Sequence, residues 1–139
     1  MNAARLDTVK VGDDLPPLTL PAITRTTLAL FAGASGDHNP IHIDFDYAKA
    51  FGMPDVFAQG MLPMAYLGRL LTIWSPQSQL RQFKVRFSAM TPVGARLTCF
   101  GKVVEKLELD SEVLARLEIA VSDEHGVTKL VGEALVALA

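Results

Sequence analysis

The stretch from Gly60 to Trp74 constrains the fold more than any other part of the chain. Met61, Leu62, Met64, Ala65, Leu67, Leu70, Leu71, Ile73 and Trp74 cover nearly every face of a helix, and a helix that is apolar all round belongs inside a protein. Pro63 lacks a backbone N–H and is tolerated only in the first turn, so it ties the helix start to about residue 60. Ser75-Pro76 ends the helix. Something must wrap it, and the residues that follow have the alternation of strands. Phe83, Val85 and Phe87 alternate with Lys84, Arg86 and Ser88; Thr91-Pro92-Val93-Gly94 then turns the chain into a strand from about Ala95 to Glu105. A third runs from about Glu112 to Val121, with Val113, Ala115, Leu117 and Ile119 on one face. A hairpin at Asp123-Glu124-His125-Gly126 leads into a fourth, Val127 to Leu138. Spacing and alternation predict an antiparallel sheet.

The first half is helical and rich in loops. Pro17 to Ile23 reads as a strand kept at a sheet edge by its prolines. Thr24 or Thr26 caps a helix to about Ala34, stopped by Gly36. Asp44 or Asp46 caps a short helix, Tyr47 to Phe51, closed by Gly52. The expectation is an α+β fold over residues 1–139 as one domain, with an antiparallel sheet of about five strands wrapped around a long buried central helix.

Half of the residues are hydrophobic and the mean hydropathy is +0.27, high for a small monomer. No run of roughly 18 uncharged apolar residues is present, so a membrane span is not expected and a broad subunit interface is. The net charge is −2 with no basic run, which removes the electrostatic footprint of a nucleic-acid binder. Met1 to Lys10 has no apolar core of a secretory signal, and the lone Cys99 cannot form an internal disulfide; a reducing cytoplasm is the expected setting. Cys99 has no histidine or second cysteine near it in sequence and reads as a buried structural thiol.

Chemistry concentrates in Ala34-Ser35-Gly36-Asp37-His38-Asn39-Pro40-Ile41-His42. On a regular helix Asp37 and His42 would point in different directions, but on a loop stiffened by Pro40 they can converge. A carboxylate and an imidazole facing one site can hold a water and pass protons both ways. On residue types alone, a plain turn with Asp37 as an Asx-turn residue remains the alternative. His38 and His125 are expected in solvent. At Ala58-Gln59-Gly60-Met61-Leu62-Pro63 the first N–H groups of the helix lack internal partners and carry partial positive charge. The Gly60 N–H, with that of Met61, can receive an oxyanion; a tolerant N-cap is the alternative reading. No Walker loop, nucleophile elbow, dinucleotide fingerprint or zincin motif occurs, and the spacing of Asp37, His38 and His42 fits no standard metal site.

Gly36-Asp37-His38-Asn39-Pro40-Ile41-His42 resembles the hydratase motif of the MaoC-like dehydratases and (R)-specific enoyl-CoA hydratases, and Gly60-Met61-Leu62 resembles the start of that family's central hotdog helix. Val85-Arg86-Phe87 with Pro92-Val93-Gly94 is similar to the family's third-strand region, and Ala34 to Leu67 to the catalytic subunit type of the mycobacterial (3R)-hydroxyacyl-ACP dehydratases. The resemblance implies a hotdog fold, at least a homodimer, and reversible addition of water to a trans-2-enoyl thioester of CoA or acyl carrier protein. It implies Asp37 and His42 as the catalytic pair, Asn39 as a brace of their loop, and the Gly60 N–H as the group that polarises the thioester carbonyl. It implies an acyl chain near Met64, Tyr66 and Leu67, and no metal or redox cofactor. Two positions depart from the pattern. The family usually has His before the helix glycine, where this chain has Gln59; several hydratases place Ser eight residues after that glycine, where this chain has Gly68. A hotdog thioesterase is the rival activity, disfavoured because Gly60 to Trp74 contains no Asp or Glu. The active subunit of a heterodimer with a related hotdog chain is a further alternative, and a non-catalytic acyl-CoA binder another.

Overall fold

The computed structural model describes residues 8–138. In chain order they form strand β1 (Leu18–Thr19), helices α1 (Arg25–Ser35), α2 (Phe45–Ala50) and α3 (Met61–Trp74), and strands β2 (Leu80–Phe87), β3 (Thr98–Leu109), β4 (Glu112–Ser122) and β5 (Thr128–Ala137). The strands make one antiparallel sheet in the order β1-β3-β4-β5-β2, and α3 packs against β2, β3, β4 and β5. The expected α+β arrangement of a curled sheet around one helix is therefore present. No helix among the described residues is long and apolar enough to cross a membrane.

Period-two patterning explains the core. Register pairs Phe83 with Ala134, Ala134 with Leu117, and Leu117 with Val103, so one row of side chains crosses four strands toward the helix. Phe87, Leu130, Val121 and Cys99 form a parallel row. Between them lies a row with two glycines, Val85, Gly132, Ile119 and Gly101. Gly132 has a specific cause: a Cβ there would land on the Lys84 carbonyl of the neighbouring strand. From the helix side, Gly60 and Gly68 face the Phe87 and Phe83 rings, each at 3.2 Å from where a Cβ would sit. Eight residues of helix rise about 12 Å and four residues of strand about 13 Å, so two glycines on α3 match two phenylalanines on β2 without offset.

Several boundaries differ from the sequence expectation. The Pro17 to Ile23 strand shrinks to Leu18–Thr19, paired with Cys99 and Thr98. Beyond it the ladder breaks up: Leu20 N–H bonds Leu97, Pro21 has no N–H to donate, and Ile23 then donates to Ala95 and accepts the Gly94 N–H. α2 starts at Phe45 rather than Tyr47, with Asp44 as its cap. β2 begins three residues earlier than its alternating core, and β3 runs on to Leu109 before a two-residue turn in which Asp110 and Ser111 both take positive φ. The larger difference concerns α3. Leu62, Leu67, Leu70 and Leu71 are buried, but Met61, Ala65, Arg69 and Ile73, four residues apart, form a stripe open to solvent. The expectation of burial on every side is corrected to burial on three, because the curled sheet of one chain does not close over the fourth.

Removal of side-chain volume at the centre of the sheet tests this packing. Leu117→Ala is expected to destabilise by about 2–5 kcal/mol. Gly132→Ala is expected to lose at least the ~1–3 kcal/mol typical of overpacking, since backbone rather than a side chain must move. Urea unfolding of both variants measures the two costs.

Candidate active site

The loop after α1 is shaped by its own side chains. Gly36 takes a left-handed conformation (φ 76°) that ends the helix, its N–H bonded to the Ala32 carbonyl at 3.1 Å. Ser35 Oγ donates to the Phe31 carbonyl at 2.7 Å and accepts the Asp37 N–H at 3.2 Å. Asp37 Oδ1 accepts the Asn39 N–H at 3.3 Å, and Asn39 Oδ1 accepts the Ile41 N–H at 3.1 Å. Asn39 thereby caps a single 3-10 turn, Pro40–His42, with Pro40 in the first position where its missing N–H costs nothing. This chain of short bonds brings together two side chains that a helix would separate: Asp37 Oδ2 lies 3.6 Å from His42 Nε2.

The imidazole is oriented from its other nitrogen. His42 Nδ1 lies 2.7 Å from the Phe57 carbonyl oxygen, which can only accept, so Nδ1 carries a proton and, in the neutral ring, Nε2 presents a lone pair. The Phe57 ring meets the imidazole edge-on at 5.0 Å between centroids. The His42 side chain is only 11% exposed and the Asp37 carboxyl 43%. With the histidine neutral, the facing tips are two acceptors that cannot bond each other; a molecule with two O–H donors, such as water, satisfies both at once.

Phe57 leads directly into α3. Its segment is fixed on one side by the Ala58 N–H, which donates to the Thr91 carbonyl at 2.8 Å, and by a bridge from Phe57 to Pro92. Gly60 caps α3 without any side-chain bond, and among the described residues the Gly60 and Met61 N–H groups have no hydrogen-bond partner. These are the orphan donors of a helix N-terminus. Beside them opens a cavity of about 330 Å³, lined among others by Phe57, Gly60, Pro63, Phe87, Met90 and Leu130. A larger open groove, about 1100 Å³, crosses the sheet near Phe100, Glu118 and Glu133 and includes none of the groups above.

The sequence expectation places Met64, Tyr66 and Leu67 along an acyl chain. Leu67 is fully enclosed in the core, Met64 and Tyr66 are half-buried against it, and none of the three lines the cavity beside Gly60. The helix turns these side chains toward the sheet, while the cavity opens at its first turn. Burial pushes the Tyr66 hydroxyl above its ordinary pKa. Met61 is exposed, as are His38 and His125. Cys99 is fully buried and burial pushes its thiol up to about 12, which makes it an inert packing residue.

The structure also explains the two departures. At Gly68 a Cβ would sit 3.2 Å from the edge of the Phe83 ring, so a serine there would need the ring to give by a few tenths of an ångström. Gln59 is fully buried, and its Nε2 donates to the Leu28 carbonyl on α1 at 3.0 Å. Its Oε1 is buried without a partner among the described residues; an unmade bond of this kind costs about 1–3 kcal/mol. Sequence reasoning missed Phe57, whose contribution is a backbone carbonyl and so leaves no trace in residue type, and the cavity wall from Phe87 to Thr91. The alternation of Phe83, Val85 and Phe87 was the available signal for part of that wall.

Comparison with known proteins adds the following. The family described as MaoC like domain matches residues 10–124. The chain is 37% identical over 73 residues to 3-hydroxyacyl-thioester dehydratase X of Mycobacterium tuberculosis, covering 52% of this chain and 25% of that protein. It is 35% identical over 88 residues to 3-hydroxyacyl-thioester dehydratase Z of the same species, covering 59% of this chain and 58% of that one. The match thus spans only a quarter to just over half of these relatives. Among solved structures, the unliganded R-hydratase PhaJ1 from Pseudomonas aeruginosa superposes with a TM-score of 0.84 at 27% identity, over 97% of this chain and 86% of that one. The fold is that of the hotdog hydratases.

The protonation of His42 is directly measurable. In long-range proton–nitrogen spectra of the neutral ring, Nδ1 is expected to carry the proton and Nε2 to show the shift of a bare nitrogen; the reverse pattern would remove the Phe57 carbonyl as its anchor.

Proposed function

This chain belongs to the MaoC-like domain family, and from that premise we propose that it is a hydro-lyase that adds water reversibly to trans-2-enoyl thioesters, giving (R)-3-hydroxyacyl thioesters. The observation that carries the reading is the facing pair, Asp37 Oδ2 and His42 Nε2 at 3.6 Å, on a segment tied through Phe57 to a helix start with free N–H groups. The named activities of the two mycobacterial dehydratases and of PhaJ1 support the same class.

In this mechanism one water donates its two O–H groups to Asp37 and His42. It loses a proton to the pair as its oxygen bonds to C3 of the enoyl group. The C2–C3 double-bond electrons move toward C2 and the thioester carbonyl, whose oxygen gains negative charge. The Gly60 N–H, with that of Met61, receives that oxygen at the positive end of α3, in the manner of an oxyanion hole. The proton held by the pair then passes to C2. Oxygen and both hydrogens of the water end in the product, so nothing is oxidised and no redox cofactor takes part. Dehydration is the same path reversed. Asn39 acts by holding the loop. The apolar cavity bounded by Phe57, Phe87, Met90 and Leu130 receives part of the thioester substrate, carried on CoA or acyl carrier protein.

The reading includes a second subunit and a cytoplasmic location. The open stripe of Met61, Ala65, Arg69 and Ile73 on α3 and the outer edge of β2, at the end of the sheet, are the surfaces a second copy of the chain would cover. A related hotdog chain in that place is the alternative arrangement.

Three measurements test this. Asp37→Asn and His42→Ala are each expected to lower crotonyl-CoA hydration by about 10²–10⁴-fold with the fold intact, and the wild type is expected to consume enoyl absorbance without releasing free thiol. Turnover near wild type in both variants, or thiol release from acyl-CoA, sinks the assignment. By light scattering the protein is expected to have twice the chain mass, and Ile73→Glu to lower it to one.

A further inference from the structure

We propose that Gln59 is a positioning residue: its buried amide latches α1 to the first turn of α3 and so sets the Asp37–His42 pair against the Gly60 N–H. The proposal rests on the enoyl-thioester reading above.

Four observations carry it. Gln59 is fully buried and spans two elements, donating from the residue just before Gly60 to the Leu28 carbonyl of α1. Leu28 lies within α1, where the helix ladder already uses backbone carbonyls, so the bond is not needed to satisfy that group. The amide also keeps a buried oxygen with no partner among the described residues. A leucine or methionine would fill the same space without that orphan, so stability alone does not account for a glutamine here. Finally, the bond closes a circuit. α1 ends at the loop that carries Asp37; the loop carries His42; His42 Nδ1 donates to Phe57; two residues later Gln59 returns to α1. Among the described residues the other hydrogen-bonded side-chain tie from α1 to this segment is the bidentate Arg25–Asp55 pair, which lies at the exposed start of α1, away from the Asp37–His42 loop. Within the circuit the amide is what prevents the helix bearing the acid–base loop from sliding relative to the helix bearing the carbonyl-binding N–H groups.

A latch and a packing residue predict different things. For Gln59→Leu, kcat for crotonyl-CoA hydration is expected to fall about tenfold or more with KM within about threefold, while the melting temperature stays level or rises. Gln59→His is expected to return kcat to within about threefold of wild type, because a ring N–H can replace the amide donor. Hydrogen exchange of residues 36–42 reads the latch without substrate and is expected to quicken in Gln59→Leu and recover in Gln59→His. The proposal is overturned if Gln59→Leu keeps wild-type kcat, if it fails to fold or melts lower in step with its lost activity, or if histidine does not rescue. A wild-type protein that hydrates no enoyl thioester would end the functional reading instead; exchange across 36–42 unaltered by Gln59→Leu would then end the latch on its own account.

Discussion

An all-apolar helix must be covered, and a single curved sheet can cover only part of it. That constraint organises the rest of the molecule. The sheet meets α3 through apolar rows contributed by four strands, and the helix comes close to β2 because Gly60 and Gly68 make room for Phe87 and Phe83. The same approach leaves the first turn of α3 beside the cavity, with its N–H groups unspent. What the sheet cannot reach, the Met61–Ile73 stripe, stays available for another chain. Burial and site formation here are consequences of one packing arrangement.

The candidate site is built largely from backbone. The start of α3 offers two N–H groups, the orientation of His42 comes from a carbonyl, and the loop that carries Asp37 is held by side chains bonded to nearby N–H groups. Only the Asp37 carboxylate and the His42 ring need to be chemically special. This explains how so compact a site can sit on a small fold: each side chain between Ser35 and His42 that bonds the backbone satisfies a group that the turn would otherwise leave exposed. Under the proposed mechanism small displacements between α1 and α3 matter, since the Asp37–His42 pair and the Gly60 N–H ride on different elements.

Local costs fall in the same region. Gln59 keeps a buried oxygen unmatched, and the imidazole is nearly enclosed while its carboxylate partner remains almost half open. Elsewhere the interior is mostly leucine, valine and isoleucine with Cys99 as inert filling, and its buried charge, Lys129, is matched by Asp123 at 3.2 Å. The contrast sets the end of the molecule that holds Asp37, His42 and Gly60 apart from the remainder, independently of any family resemblance.

The sequence by itself determined a great deal. The helix from residue 60, the alternating strands and the Gly36 stop were legible, and the caps were narrowed to Thr24 or Thr26 and Asp44 or Asp46, because each is a matter of local periodicity, φ preference or capping chemistry. That Asp37 and His42 belong together was legible only through the motif; their spacing alone allowed a plain turn. The tertiary structure decided what depends on residues distant in the chain: that Phe57 sets the tautomer of His42, that Gln59 reaches Leu28, and that Phe83 occupies the space above Gly68. It also placed a cavity at the first turn of α3, lined by none of Met64, Tyr66 and Leu67, and opened one face of that helix. Those outcomes turn on the curvature of the sheet and on backbone groups that every residue carries alike, so no pattern of side-chain types could announce them.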